Sequence, residues 1–117
     1  MQRDEHQWWD ETKDARGFHR VPAQAPATLL STALGRVAAM VMNLSQSGCR
    51  IRTCARCHRG DHFVLKFDAI GPRAVTVVWH DGDEVGLVFD ELLSWAVVTG
   101  IARHGREPIE ARAAGND

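Results

Sequence analysis

From Val21 onward, apolar residues alternate with polar ones in short runs separated by turn residues, the period-two pattern of half-buried strands. Val21 to Leu30 carries Pro22 and Pro26, which predicts an edge strand or a bulged one because proline cannot donate to a ladder. Val37 to Met42 is a continuous apolar run of strand length. Cys49 to Thr53 alternates, with Ile51 on one face and Arg50 and Arg52 on the other. Phe63, Leu65 and Phe67 share a face of the next run, Val75, Val77 and Trp79 a face of the fifth, and Val85, Leu87 and Phe89 a face of the sixth. Between these last two lies His80-Asp81-Gly82-Asp83, whose Asp-Gly pair signals a hairpin because such turns need positive φ. Six short strands predict a mainly β fold: a six-stranded antiparallel barrel, which removes exposed edges by closing.

The period then lengthens. Asp90 is the expected cap of a C-terminal α-helix packed on the barrel, with Leu92, Leu93, Ala96, Val97 and Ile101 inward and Trp95 at the margin. Arg103 and His104 suit the negative end of its dipole, Gly105 can end it, and Pro108 lies beyond. Gly100 within it costs about 1 kcal/mol relative to alanine. The expected organisation is a flexible arm over 1–14, polar apart from Trp8-Trp9, a barrel domain with its helix over 15–104, and a frayed tail over 105–117.

Composition narrows the class. A chain of 117 residues and 13.0 kDa is one domain's worth, too short for a multidomain enzyme. Hydrophobic residues at 44% and charged residues at 25% exclude wholesale disorder. No apolar run approaches the roughly 18–20 residues of a membrane span, and the polar, acidic opening argues against a signal peptide. Three cysteines without an export signal then point to a reducing cytoplasm rather than a disulfide framework. The net charge of −1 hides a segregation: residues 1–20 hold five acids and four bases, 21–60 five arginines and no acid, and 61–117 ten acids and five bases. A basic middle in a near-neutral chain suits a local anionic ligand better than DNA or RNA; the plainer reading is a solvated barrel face.

Two motifs give that ligand a chemistry. Arg16-Gly17-Phe18-His19-Arg20 places two arginines four apart just before the first strand, and Asn43-Leu44-Ser45-Gln46-Ser47-Gly48 joins the second strand to the third. In this order, followed by the Trp79-His80-Asp81-Gly82-Asp83 hairpin and Val85-Gly86-Leu87-Val88-Phe89, the chain over about 15–103 resembles the PilZ domain, whose members read RxxxR, then [D/N]xSxxG, then a glycine-bearing strand before a C-terminal helix. The resemblance implies a six-stranded barrel that binds the bacterial second messenger cyclic di-GMP. It implies ligand-binding roles for Arg16, Arg20, Asn43, Ser45 and Gly48. Asn43 stands where many members have Asp, which removes one charge.

The residues suit that ligand on their own terms. An arginine fork can bind phosphate bidentately, grip guanine O6 and N7, or stack on a purine. Asn43 offers a donor and an acceptor and Ser45 a hydroxyl, both pointing one way if the extended conformation persists. Gly48 would permit positive φ or close approach of ligand to backbone. Arg50 and Arg52 are added cations near the motif, expected as second-tier contacts. The plain alternative is an ordinary turn closed by Asx and Ser hydrogen bonds, with arginines as surface charge.

Cys54-Ala55-Arg56-Cys57-His58 spells the haem-attachment pattern, but covalent haem needs export and no Met-bearing pocket follows. Zinc could use Cys54 and Cys57 with Cys49, His58 or His62, yet no second CxxC follows and Cys49 shares a face with Ile51, so no metal or other cofactor is expected. His6, His19, His80 and His104 lie apart, and no phosphate loop, nucleophile elbow or carboxylate pair occurs. The expectation is therefore a cytoplasmic receptor without enzymatic activity, which changes its surface on binding cyclic di-GMP and so regulates an unidentified effector protein. The alternatives are a docking module of the same fold without ligand, or a small zinc-binding domain.

Overall fold

The computed structural model describes residues 17–104. Six strands, β1 (Val21–Ser31), β2 (Gly35–Leu44), β3 (Gly48–Thr53), β4 (His62–Phe67), β5 (Gly71–Asp81) and β6 (Glu84–Phe89), precede one helix, α1 (Trp95–His104). The sheet closes in the order β1-β2-β3-β6-β5-β4 with every neighbouring pair antiparallel, as alternation predicts.

Closure turns one face of each strand inward. Leu29, Val41, Ile51, Leu65, Val75 and Leu87 are all fully buried, and each large side chain so placed contributes roughly 1.5–3 kcal/mol. β1 pairs with β2 along its length but with β4 only from Ala27 to Leu30. Pro22 and Pro26 both precede that stretch, so β1 is locally an edge where it carries its prolines, and it is also bulged, between Pro22 and Ala25. In the Asp81–Glu84 hairpin Gly82 has φ 63°, and no described non-glycine residue has positive φ, which matches a II′ turn with glycine first.

Two further register shifts change which side chains face outward. One lies between Val41 and Asn43 and the other between Val77 and Trp79. The second corrects the expected face of Trp79. The bulge pairs Trp79 with Gly86, whose neighbours Val85 and Leu87 point inward, so the indole lies on the outside of the barrel, away from Val75 and Val77.

The helix also starts later than expected. Ser94, not Asp90, is its cap: the Ser94 hydroxyl accepts from the Val97 N–H at 3.2 Å. Residues 90–93 are held by the barrel instead. The Asp90 N–H donates to the Ala74 carbonyl, its carboxylate accepts from the Thr76 hydroxyl at 3.2 Å, and the Leu93 N–H donates to the Gln46 carbonyl. The later start rotates the inward face to Leu93, Val98 and Ile101; Val97 is half-buried, while Leu92, Trp95 and Ala96 are exposed. α1 packs mainly against β1. Among the described residues no helix is long and apolar enough to cross a membrane.

Candidate ligand site

The three bulges adjoin a single row of paired residues across the barrel exterior. Pro22 pairs with Asn43, Asn43 with Arg50, Arg50 with Gly86, and Gly86 with Trp79. Bulges bend strands and re-aim side chains, and here they bring residues far apart in sequence into one band. Arg20 directly precedes the Val21–Leu44 pair, which sets it beside the turn that follows β2. It is buried, at 8% exposure. Arg16 lies outside the described residues.

The turn itself is built by Ser45. Its hydroxyl accepts from the N–H groups of Ser47 at 3.1 Å and Gly48 at 3.2 Å and lies 3.3 Å from the Gly48 carbonyl, while the Ser45 N–H donates to that carbonyl at 2.8 Å. Ser45 is fully buried whereas Asn43 is half-buried, so the extended alternation expected to align them ends at Leu44. Gly48 departs from the expectation of positive φ. Its φ is not positive, and an added Cβ would collide with the Leu87 carbonyl oxygen; the glycine lets β3 approach β6.

Asn43 and Arg50 face each other across β2 and β3, and each holds an atom buried without a hydrogen-bond partner: the Asn43 Oδ1 acceptor and the Arg50 Nε donor. Arg50 Nη1 lies 3.7 Å from Glu84 Oε1. Arg52 is more firmly engaged, 3.2 Å from Glu84 Oε2 and 3.8 Å from Asp83 Oδ2, on the exposed side of the hairpin. Sequence reasoning assigned Arg103 only to the helix dipole, but it lines a cleft of about 450 Å³ with Pro22, Gln24 and Met42, beside the same row. No linear motif signals that neighbour, since α1 reaches it through tertiary packing.

The cysteines do not converge. Cys49 faces the core between Leu44 and Leu87, and burial pushes its thiol pKa far up. Cys57 packs into the same core, with burial first and the nearby Asp61 carboxylate second raising its pKa. Cys54 is exposed. Among the described residues no group of three or more His, Cys, Asp or Glu side chains is placed to hold a metal ion.

The chain is thus a closed six-stranded barrel with an arginine at the approach to its first strand, a serine-built turn at one rim, and unsatisfied polar atoms of Asn43 and Arg50 between them. The family model of the PilZ domain matches residues 14–94, and the chain belongs to that family. Its domains are generally cyclic di-GMP receptors, binding or adaptor domains rather than enzymes. A comparison with curated proteins gives no match.

Proposed function

We propose that this protein is a cytoplasmic receptor for cyclic di-GMP, using Arg16, Arg20, Asn43 and Arg50, and that it regulates a partner protein through the surface it presents when the ligand is bound. The observation that carries this reading is the pair of unsatisfied atoms at Asn43 and Arg50. A buried polar group without a partner costs about 1–3 kcal/mol. Guanine supplies N–H donors that an Asn43 oxygen accepts, and its O6 and N7, or a phosphate oxygen, accept from Arg50. One ligand class therefore satisfies both atoms. Ser45 and Gly48 serve the site by shaping the turn that presents Asn43.

Titration calorimetry of the full chain with cyclic di-GMP tests this, with GTP as the control. Saturable binding to cyclic di-GMP and none to GTP is the expected result. Absence of heat and of amide chemical-shift changes at millimolar ligand overturns it and leaves a docking module of the same fold.

A further inference from the structure

The turn from Asn43 to Gly48 is bonded to the chain that leads into α1. The Leu93 N–H donates to the Gln46 carbonyl at 2.9 Å, and Gln46 Nε2 returns to the Leu93 carbonyl at 3.1 Å. The Phe89 N–H donates to the Ser47 carbonyl at 2.8 Å. The other motif reaches the same place: the His19 ring, between Arg16 and Arg20 in sequence, lies 6.2 Å from that of Trp95. Both arginine-bearing and turn-bearing segments thus meet at Leu93–Trp95.

What surrounds that point is a surface with a definite chemistry. Among the described residues the large exposed hydrophobic side chains are Met40, Leu92 and Trp95, at 38%, 51% and 43% exposure, so two of the three flank Leu93. A groove of about 580 Å³ opens beside Leu92, between the first residues of β5 and the start of α1. Pro72, Leu92 and Val97 give it apolar walls, and Asp90 and Glu91 an acidic edge. Arg73 is the cation in its lining, and its Nη1 is turned to the Pro72 and Ile70 carbonyls at 2.9 and 3.4 Å. Adjacent exposed apolar groups with a charged rim are the make-up of a protein-docking patch. The acidic edge disfavours nucleic acid and anionic lipid and favours a cationic flank on whatever docks.

We propose that this groove docks a partner segment carrying an aliphatic or aromatic anchor flanked by Lys or Arg, and that the two Gln46–Leu93 hydrogen bonds make it respond to ligand; the second half rests on the receptor reading. Gln46 is three residues from Asn43, so a ligand that draws on Asn43 displaces the turn whose bonds hold the groove wall. Gln46 acts here as a positioning residue, and nothing requires it to touch ligand.

Selection of random short peptides displayed on phage against the full-length protein, with and without cyclic di-GMP, tests both halves. The peptides recovered should carry an apolar anchor with Lys or Arg within about four residues, one helical turn. Leu92→Ser and Glu91→Lys, both exposed, should each weaken peptide binding about tenfold while leaving the circular dichroism spectrum unchanged. Acidic peptides, or peptides indifferent to Leu92→Ser, overturn the docking chemistry, as does sedimentation showing a dimer that Leu92→Ser dissolves. For the response, cyclic di-GMP should change peptide affinity in the wild type and not in Gln46→Ala, with calorimetry confirming that the variant still binds the nucleotide. Equal peptide affinity with and without bound nucleotide in the wild type overturns the coupling alone. Peptide binding without any nucleotide binding overturns the receptor reading and leaves the groove.

Discussion

Trp79 and Gly86 are cross-strand partners on the barrel exterior, and the indole fills the space that a side chain at position 86 would need. An added Cβ would meet the ring at Nε1, Cε2 and Cδ1. The fit depends on the bulge between Val77 and Trp79, which turns the ring outward over the glycine and buries it to 2% exposure. On the other side of Gly86 lies Arg50, so the indole sits one strand away from the candidate site.

Gly86→Ala should therefore destabilise the fold by overpacking, by about 1–3 kcal/mol in urea denaturation. Trp79→Ala alone should cost about 3 kcal/mol through lost burial. The double variant should cost clearly less than the sum, because alanine at 86 is harmful only while the ring is present. Strict additivity would show that the ring does not rest on the glycine.

Gly48→Ala should behave differently. The obstacle is the Leu87 carbonyl, a backbone atom that cannot rotate away, so β3 and β6 must separate. The expected loss is about 2 kcal/mol or more, with no partner side chain whose truncation rescues it. Ligand affinity falls with it only as far as the folded fraction does. A variant of unchanged stability that has lost nucleotide binding would make Gly48 a ligand contact.

Among the arginines, Arg20→Ala and Arg50→Ala should each weaken cyclic di-GMP binding by about 1–3 kcal/mol, the worth of a good bidentate contact, or roughly 5-fold to 150-fold in Kd. Arg52→Ala should act less, because Asp83 and Glu84 already engage its guanidinium, and removing an exposed pair costs about 0–1 kcal/mol. Calorimetry on the three variants in one buffer gives the order, and Arg52 leading it would move the site toward the β5–β6 hairpin.

These positions also show what sequence could and could not carry. Strand existence was legible because burial alternates along β4 and, apart from Gly86 beneath the Trp79 ring, along β6, and Gly82 marked its hairpin because the turn needs left-handed backbone there. The prolines marked the bulge in β1, but the other two leave no such trace: Met42 and Val78 are apolar residues inside apolar runs, so the register shifts at Asn43 and Trp79 appear only once the partners are known. The lone glycine between Val85 and Leu87 does signal close approach by a neighbour, and that neighbour is the Trp79 ring. Residue type allows Asp90 as a cap but does not prefer it to Ser94; the hydrogen bonds that Asp90 and Leu93 donate to the Ala74 and Gln46 carbonyls, and the one Asp90 accepts from Thr76, hold 90–93 on the barrel and decide it. Motif spacing identified the turn; tertiary pairing of Asn43 with Arg50 assembled its surroundings.

The thiols make the last prediction, and its sign follows from burial. Cys49 lies wholly in the core, and desolvation lifts its pKa far above the ordinary 9.0, so the folded state holds the proton more tightly than the unfolded chain does. A raised pKa contributes stability that is fully present below the unfolded value. That stability drains away as pH rises above about 9, by about 1.4 kcal/mol per pH unit for one proton. Cys57 adds in the same direction through burial and Asp61. Urea midpoints of the wild type should hold below pH 9 and fall above it, and Cys49→Ala should flatten the fall at the expense of a small cavity. In native protein at pH 8 an alkylating reagent should modify the exposed Cys54 first and Cys57 slowly, with Cys49 reacting only through unfolding. Rapid modification of Cys49 without loss of the fold would mean that the interior between β3 and β6 opens to solvent.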